Sequence, residues 1–152
     1  MPLPRPLAVL GLLALSILPA WADQAATQAD LESLHPEKLS GEQLTALMPG
    51  AKISRVSGQG NAQYWTHRED GTMNVFNENR FGAQGSAMGG RTAYRPGTWR
   101  ISEDGRYCVH IEWKHIEDED WCRYVFKTDQ VYYTSKAESD PAAKVFKLEI
   151  AR

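Results

Sequence analysis

Residues Cys108 to Cys122 read "CVHIEWKHIEDEDWC" and bring together, within one short stretch, groups able to do chemistry: two histidines, an acidic run and the only two cysteines. His110, Glu112, His115 and Asp120 offer the mixed nitrogen and oxygen donors that Zn²⁺ or Cu²⁺ accepts. Such a site also needs partners that fix each imidazole, and the loop carrying His115 has none in evidence. An acidic, solvated hairpin tip that keeps a sheet edge soluble explains the same residues without a metal. That reading is preferred; weak divalent-metal binding at the 110–120 hairpin is the alternative, and no cofactor is assigned.

Catalytic signatures fare less well. Ser86 in "GAQGSAMGG" has Gln84 and Met88 where a nucleophile elbow needs glycines. Gly58 and Gly60 begin a dinucleotide fingerprint that stops at Gln63, with no helix to follow. No catalytic residue is assigned, and an enzyme of unrecognised type is the second alternative. Aromatic residues are numerous for a chain of this size, and inside a barrel they either fill it or line a cavity. Trp65, Trp99, Tyr107 and Trp113, with Phe81 and Met88 from the glycine-rich stretch 78–91, are the candidate ligand-lining residues. That stretch is long for a connection and reads as a mobile linker, with a lid as the alternative. Gly97-Thr98-Trp99 matches the Gly-x-Trp motif of lipocalins, but there the motif opens the barrel, whereas here about half the strands precede it.

The elements that must position these groups are mostly strands. In "LSGEQLTALMPG", Ser40 and Gln43 have capping-box spacing, Leu44, Leu47 and Met48 form an apolar stripe, and Gly50 follows as a stop, which predicts one short helix plugging a sheet. After Gly50, β-branched and aromatic runs fall at 51–57, 62–68, 72–77, 92–102, 106–114, 121–127, 130–134 and 144–150, punctuated by Gly, Asp and Asn. Short connections make neighbours antiparallel, so the chain is expected to be mainly β, a meander closing into a small barrel-like or curled sheet. A three-residue loop at Glu103-Asp104-Gly105 sets Ile101 opposite Tyr107, Trp99 opposite Val109 and Gly97 opposite Ile111. It turns Tyr107, Val109, Ile111 and Trp113 inward and Cys108, His110 and Glu112 outward. If Cys108 opposes Cys122, His110 meets Asp120 and Glu112 meets Asp118.

The N-terminal stretch supplies the compartment. Arg5, the apolar run 7–18 and Ala20-Trp21-Ala22 predict a secretory signal over residues 1–22. The run is too short for a membrane anchor and ends at Pro19. The mature chain then has 16 basic and 19 acidic residues, which draws it neither to nucleic acid nor to anionic lipid, and no stable membrane insertion is expected after cleavage. Residues 23–38 are polar and read as a mobile lead-in; residues 39–152 make a single β domain. In an oxidising compartment the two cysteines, spaced far from Cys-x-x-Cys, are expected to form a disulfide. The localisation expected is periplasmic or secreted.

The short helix, the Tyr-Trp strand followed by Asp-Gly-Thr, "GTWRISEDGRYCVHIEW" and the second cysteine in "WCRYVF" together resemble a bacterial exported family catalogued as domain of unknown function 995. The resemblance covers about residues 39–134 and is carried best by Gly97, Thr98, Trp99, Cys108, Val109, Trp113 and Cys122. It implies a small exported β domain with no established activity, so no site residue transfers from it. In that pattern the residues between Val109 and Trp113 vary and are often basic, which argues against a shared metal site at His110 and Glu112. The function expected is that of a non-enzymatic binding module for an envelope component, a protein or a small apolar ligand.

Overall fold

The computed structural model describes residues 26–56, 61–78, 92–114, 117–129 and 131–152. Two helices, α1 (Gln28–Ser33) and α2 (Gly41–Leu47), flank the two-residue strand β1 (Glu37–Lys38). Eight strands follow: β2 (Lys52–Val56), β3 (Ala62–His67), β4 (Thr72–Glu78), β5 (Thr92–Ile101), β6 (Tyr107–Ile111), β7 (Glu119–Thr128), β8 (Val131–Ser135) and β9 (Val145–Ala151). Each pairs antiparallel with the next, and β2 also pairs β9, so the meander closes into an eight-stranded barrel. The expected strands are all present, with ends shifted by one or two residues except at β6, which stops three residues early. Among the described residues, no helix is long and apolar enough to cross a membrane.

Turn chemistry fixes the register. "REDGT" and "SEDGR" are built alike: Gly71 and Gly105 take φ of 81° and 76°, and the amides of Arg68 and Ser102 donate to the carbonyls of Thr72 and Arg106. Only glycine adopts that backbone cheaply. The second turn delivers the expected pairs, Ile101 with Tyr107, Trp99 with Val109 and Gly97 with Ile111. A Cβ at Gly97 would lie 2.7 Å from the His110 carbonyl and 2.9 Å from Met73 Cε, so this glycine lets the side chain of β4 and the backbone of β6 close in on β5.

The inner face carries one continuous core, including Ile53, Trp65, Met73, Val75, Tyr107, Val109, Ile111, Trp121, Val125 and Leu148. Helix α2 closes one end. Its capping box is the expected one, Ser40 with Gln43, and it buries Leu44 and Met48 completely. A helix of seven residues is held by that packing and not by propensity.

The N-terminal lead-in departs from expectation over residues 26–38. Thr27 and Asp30 form a capping box on α1, Leu31 is fully buried against Phe126, Tyr133 and Val145 on the outside of the barrel, and β1 pairs with the end of β7. The amides of Gln28 and Ala29 donate to Ala143 and Pro141, and that of Val145 to Ala26. The physical reason is that β7 and β8 turn Phe126 and Tyr133 outward, and this apolar pair needs a cover that its own strands cannot give. Residues 1–22, where a signal is expected, and the stretch 79–91, with Phe81, Ser86 and Met88, lie outside the described residues, as do Gly58, Gly60 and His115.

Candidate functional site

The end of the barrel under α2 is chemically closed. His67 points inward from β3 and is almost completely buried. Its Nδ1 lies 3.0 Å from the Met48 carbonyl, which can only accept, so Nδ1 carries the proton. Nε2 then accepts from the Tyr107 hydroxyl at 2.7 Å and from Trp65 Nε1 at 3.1 Å. Trp99 stacks on the imidazole with ring centroids 4.4 Å apart and donates its Nε1–H to the Arg68 carbonyl. Burial lowers His67 to a pKa of about 4, the bond to Met48 opposing it weakly, and burial pushes the Tyr107 phenol up. Both are neutral at pH 7 and both are satisfied, so they tie α2 to β3 and β6 and offer nothing to a ligand.

At the other end the inner face changes character. The register that turns Ile53, Trp65 and Val75 inward also turns Arg55, Gln63, Asn77 and Arg95 inward, and on β7 it aligns Glu119, Trp121 and Arg123 with Val125. Arg55 donates through Nε to Gln63 at 2.8 Å and forms an ion pair with Glu119. Glu119 also accepts from Trp121 Nε1 at 2.9 Å. The guanidinium of Arg55 lies 5.5 Å from the ring centre of Trp65 and 4.9 Å from that of Trp121; that of Arg123 lies 5.0 Å from Trp121 and 4.2 Å from Phe146. The sequence of contacts is therefore Trp65, Arg55, Trp121, Arg123, Phe146, arginine and aromatic in alternation. Spacings under 6 Å are those at which a cation is attracted to a ring face.

Charge in this layer is not balanced. Among its described residues, three arginines stand against one carboxylate, and Arg55 has taken it. Arg123 is 8% exposed, and its Nε and Nη1 have no hydrogen-bond partner among the described residues; neither has Arg95 Nε or Asn77 Oδ1. Leaving one buried donor unmade costs about 1–3 kcal/mol, and more for a charged group. Burial and the neighbouring Arg55 lower the Arg123 pKa to about 10, with Glu119 opposing, so the group remains a cation at neutral pH.

This layer meets a cleft. The β2–β9 ladder has three pairs and ends at Ser54 with Glu149. Beyond it the strands part around a cavity of about 500 Å³ whose walls include Arg55, Val56, Ala62, Tyr133, Val145 and Phe146. Two members of the alternating stack thus reach the cleft, and Val56, 53% exposed, forms an apolar lip. A second, shallower groove of about 600 Å³ crosses the outer face over Tyr64, Phe76 and Tyr94, whose rings contact in series. It has apolar area but none of the buried charges.

The sequence-predicted residues are scattered across these regions. Trp65 is shared, its ring against Arg55 in the alternating stack and its Nε1–H bonded into the closed end, to which Tyr107 and Trp99 belong. Trp113 is half-buried against the core near the hairpin tip. His110 and Asp120 face each other on the outer surface, 3.8 Å apart, as the register requires. Glu112 and Asp118 are not the expected ladder pair: the ladder ends at Ile111 with Glu119, the Glu112 amide donates to Pro96, and Asp118 accepts from the Trp113 amide. Among the described residues no group of three or more His, Cys, Asp or Glu side chains is gathered where it would hold a metal ion. Cys108 and Cys122 are joined as a disulfide between β6 and β7. Sequence reasoning missed Arg55, Arg123, Glu119, Trp121 and Phe146 as a group.

No curated protein and no solved structure matches the chain. A family model described as "Protein of unknown function (DUF995)" matches residues 16–151, a wider span than the 39–134 over which the motifs are legible. With nearly the whole barrel and its leading helix inside that match, the chain belongs to the DUF995 family.

Proposed function

We propose that this chain is an exported, non-enzymatic binding domain that takes a small ligand with an apolar body in the cleft between β2 and β9. The observation that carries the reading is a cleft of about 500 Å³ bordered by apolar side chains and by the buried guanidinium of Arg55, with Arg123 stacked behind its wall residue Phe146. Ligand pockets commonly have this size and this mixture: mostly apolar walls with a few convergent polar groups. Export is read from Ala20-Trp21-Ala22, and the Cys108–Cys122 disulfide accords with an oxidising compartment. The strongly shifted groups His67 and Tyr107 are occupied with each other at the closed end, which favours binding over acid/base work.

Native mass spectrometry of protein purified from the cells that make it tests this reading. A fraction of molecules should carry an added small-molecule mass that is released on denaturation. A bare polypeptide mass throughout, together with unchanged hydrogen exchange in β2 and β9 when a concentrated extract of the same cells is added, would overturn it.

A further inference from the structure

Resting on the cleft being a ligand site, we infer that its ligand carries an oxyanion, a carboxylate or a phosphate, received by Arg123 beside Phe146, while its apolar body lies against Val56, Val145 and Ala62. Three features of the inner layer point the same way. Three cations face one carboxylate there among the described residues, so the layer accepts negative charge. Arg55 is already engaged, by Gln63 through Nε and by Glu119 through its terminal nitrogen. Arg123 has two buried nitrogens without a partner among the described residues and lies 4.2 Å from the ring of Phe146, which forms part of the cleft wall.

Arginine suits this task because its planar guanidinium stays charged and presents several donors to one oxyanion. A neutral ligand would leave those donors unmade. A cationic one would meet repulsion from Arg55 in the cleft wall and from Arg123 behind Phe146, whereas Lys147 at the cleft is paired with Glu149. Arg95, also inward-facing and with Nε unpartnered among the described residues, adds to the positive potential of the layer.

The test compares three ligands with one tail: octanoate, octyl phosphate and octanol, titrated calorimetrically into the purified protein and followed by the fluorescence of Trp65 and Trp121. The two anions should bind at least about tenfold more tightly than the alcohol, the difference expected when a charge-assisted hydrogen bond is made. Arg123→Gln should remove that preference, bringing the two anions down to the affinity that the same variant has for octanol, whereas Arg100→Gln, on the exposed outer face, should preserve it. Tighter binding of octyl phosphate than of octanoate, with inorganic phosphate competing against both, would assign a phosphate head; equal affinities would assign an unselective oxyanion site. Arg123→Met, which keeps the unbranched stem against Phe146, serves the same purpose should the glutamine variant not fold. Equal affinity for all three ligands in the unaltered protein would overturn the oxyanion inference while leaving a small-ligand site standing. No binding of any of them by natively folded protein would overturn both.

Discussion

The two ends of this barrel are made from the same strands and treat polar groups in opposite ways. Under α2, every nitrogen and oxygen of the His67, Tyr107 and Trp65 cluster has a partner, and the histidine is held neutral to keep it so. Some strand positions away, Arg123 is buried to a similar degree with two nitrogens unpartnered among the described residues, beside another arginine. A satisfied buried network rigidifies, whereas an unsatisfied one is costly until something completes it. The difference separates the part of the barrel that maintains the fold from the part available to a ligand.

The largest expected effect lies at the closed end. Leu44→Ala should cost about 3–4 kcal/mol in denaturant unfolding, since a fully buried leucine at the plug leaves a cavity that short strands cannot collapse around. A loss below about 1 kcal/mol would mean that α2 does not close the barrel. Next comes the pH response. His67 titrates near 4 in the folded chain against about 6.5 unfolded, so between those values the unfolded chain binds the extra proton. The His67 contribution is therefore complete above pH 6.5 and falls away as the pH drops toward 4, by about 3 kcal/mol. Unfolding free energies measured across that range should show the slope, and His67→Gln, itself less stable, should lack it.

The disulfide joins the outer faces of β6 and β7 and has a smaller role. Replacing Cys108 and Cys122 by serine should cost about 2 kcal/mol, less than the chain-entropy figure because the hairpin already brings its ends together. The far-UV circular dichroism spectrum should be retained, and the loss should be the same with or without octanoate, because the bond is not part of the cleft.

How far the sequence disclosed this contrast depended on the kind of signal each region carries. The closed end was legible because turn and cap residues are local: Gly105 fixed the register of β5 and β6, and Ser40 with Gln43 started α2. Arg55 and Arg123 were less visible, since charged residues inside strands ordinarily mark the solvent face. The signal was nonetheless present in the two-residue period. Arg55 shares parity with Ile53, and Arg123 with Trp121 and Val125, so the arithmetic that placed His110 outside would have placed these two inside. The cleft was beyond reach, because it arises where the β2–β9 ladder stops, between strands some 90 residues apart in sequence. Helix α1 was misread for a different reason. Thr27 and Asp30 have cap spacing, but what holds the helix is the outward pair Phe126 and Tyr133, a demand visible only once the sheet is built.

The smallest change in stability carries the most information. Removing a charged residue buried beside a like charge is expected to be neutral or stabilising when the replacement packs as well, which reverses the sign expected at the closed end. Equilibrium unfolding of Arg123→Met, with and without saturating octanoate, tests this directly. Arg123→Met should lie within about 1 kcal/mol of the unaltered protein or above it, and octanoate should raise the midpoint of the unaltered protein well beyond the shift it gives the variant, which keeps only the apolar contacts. A variant several kcal/mol less stable, with octanoate having no effect on either protein, would show that Arg123 belongs to the structural core and would contradict the division of the barrel into a closed end and a receiving one.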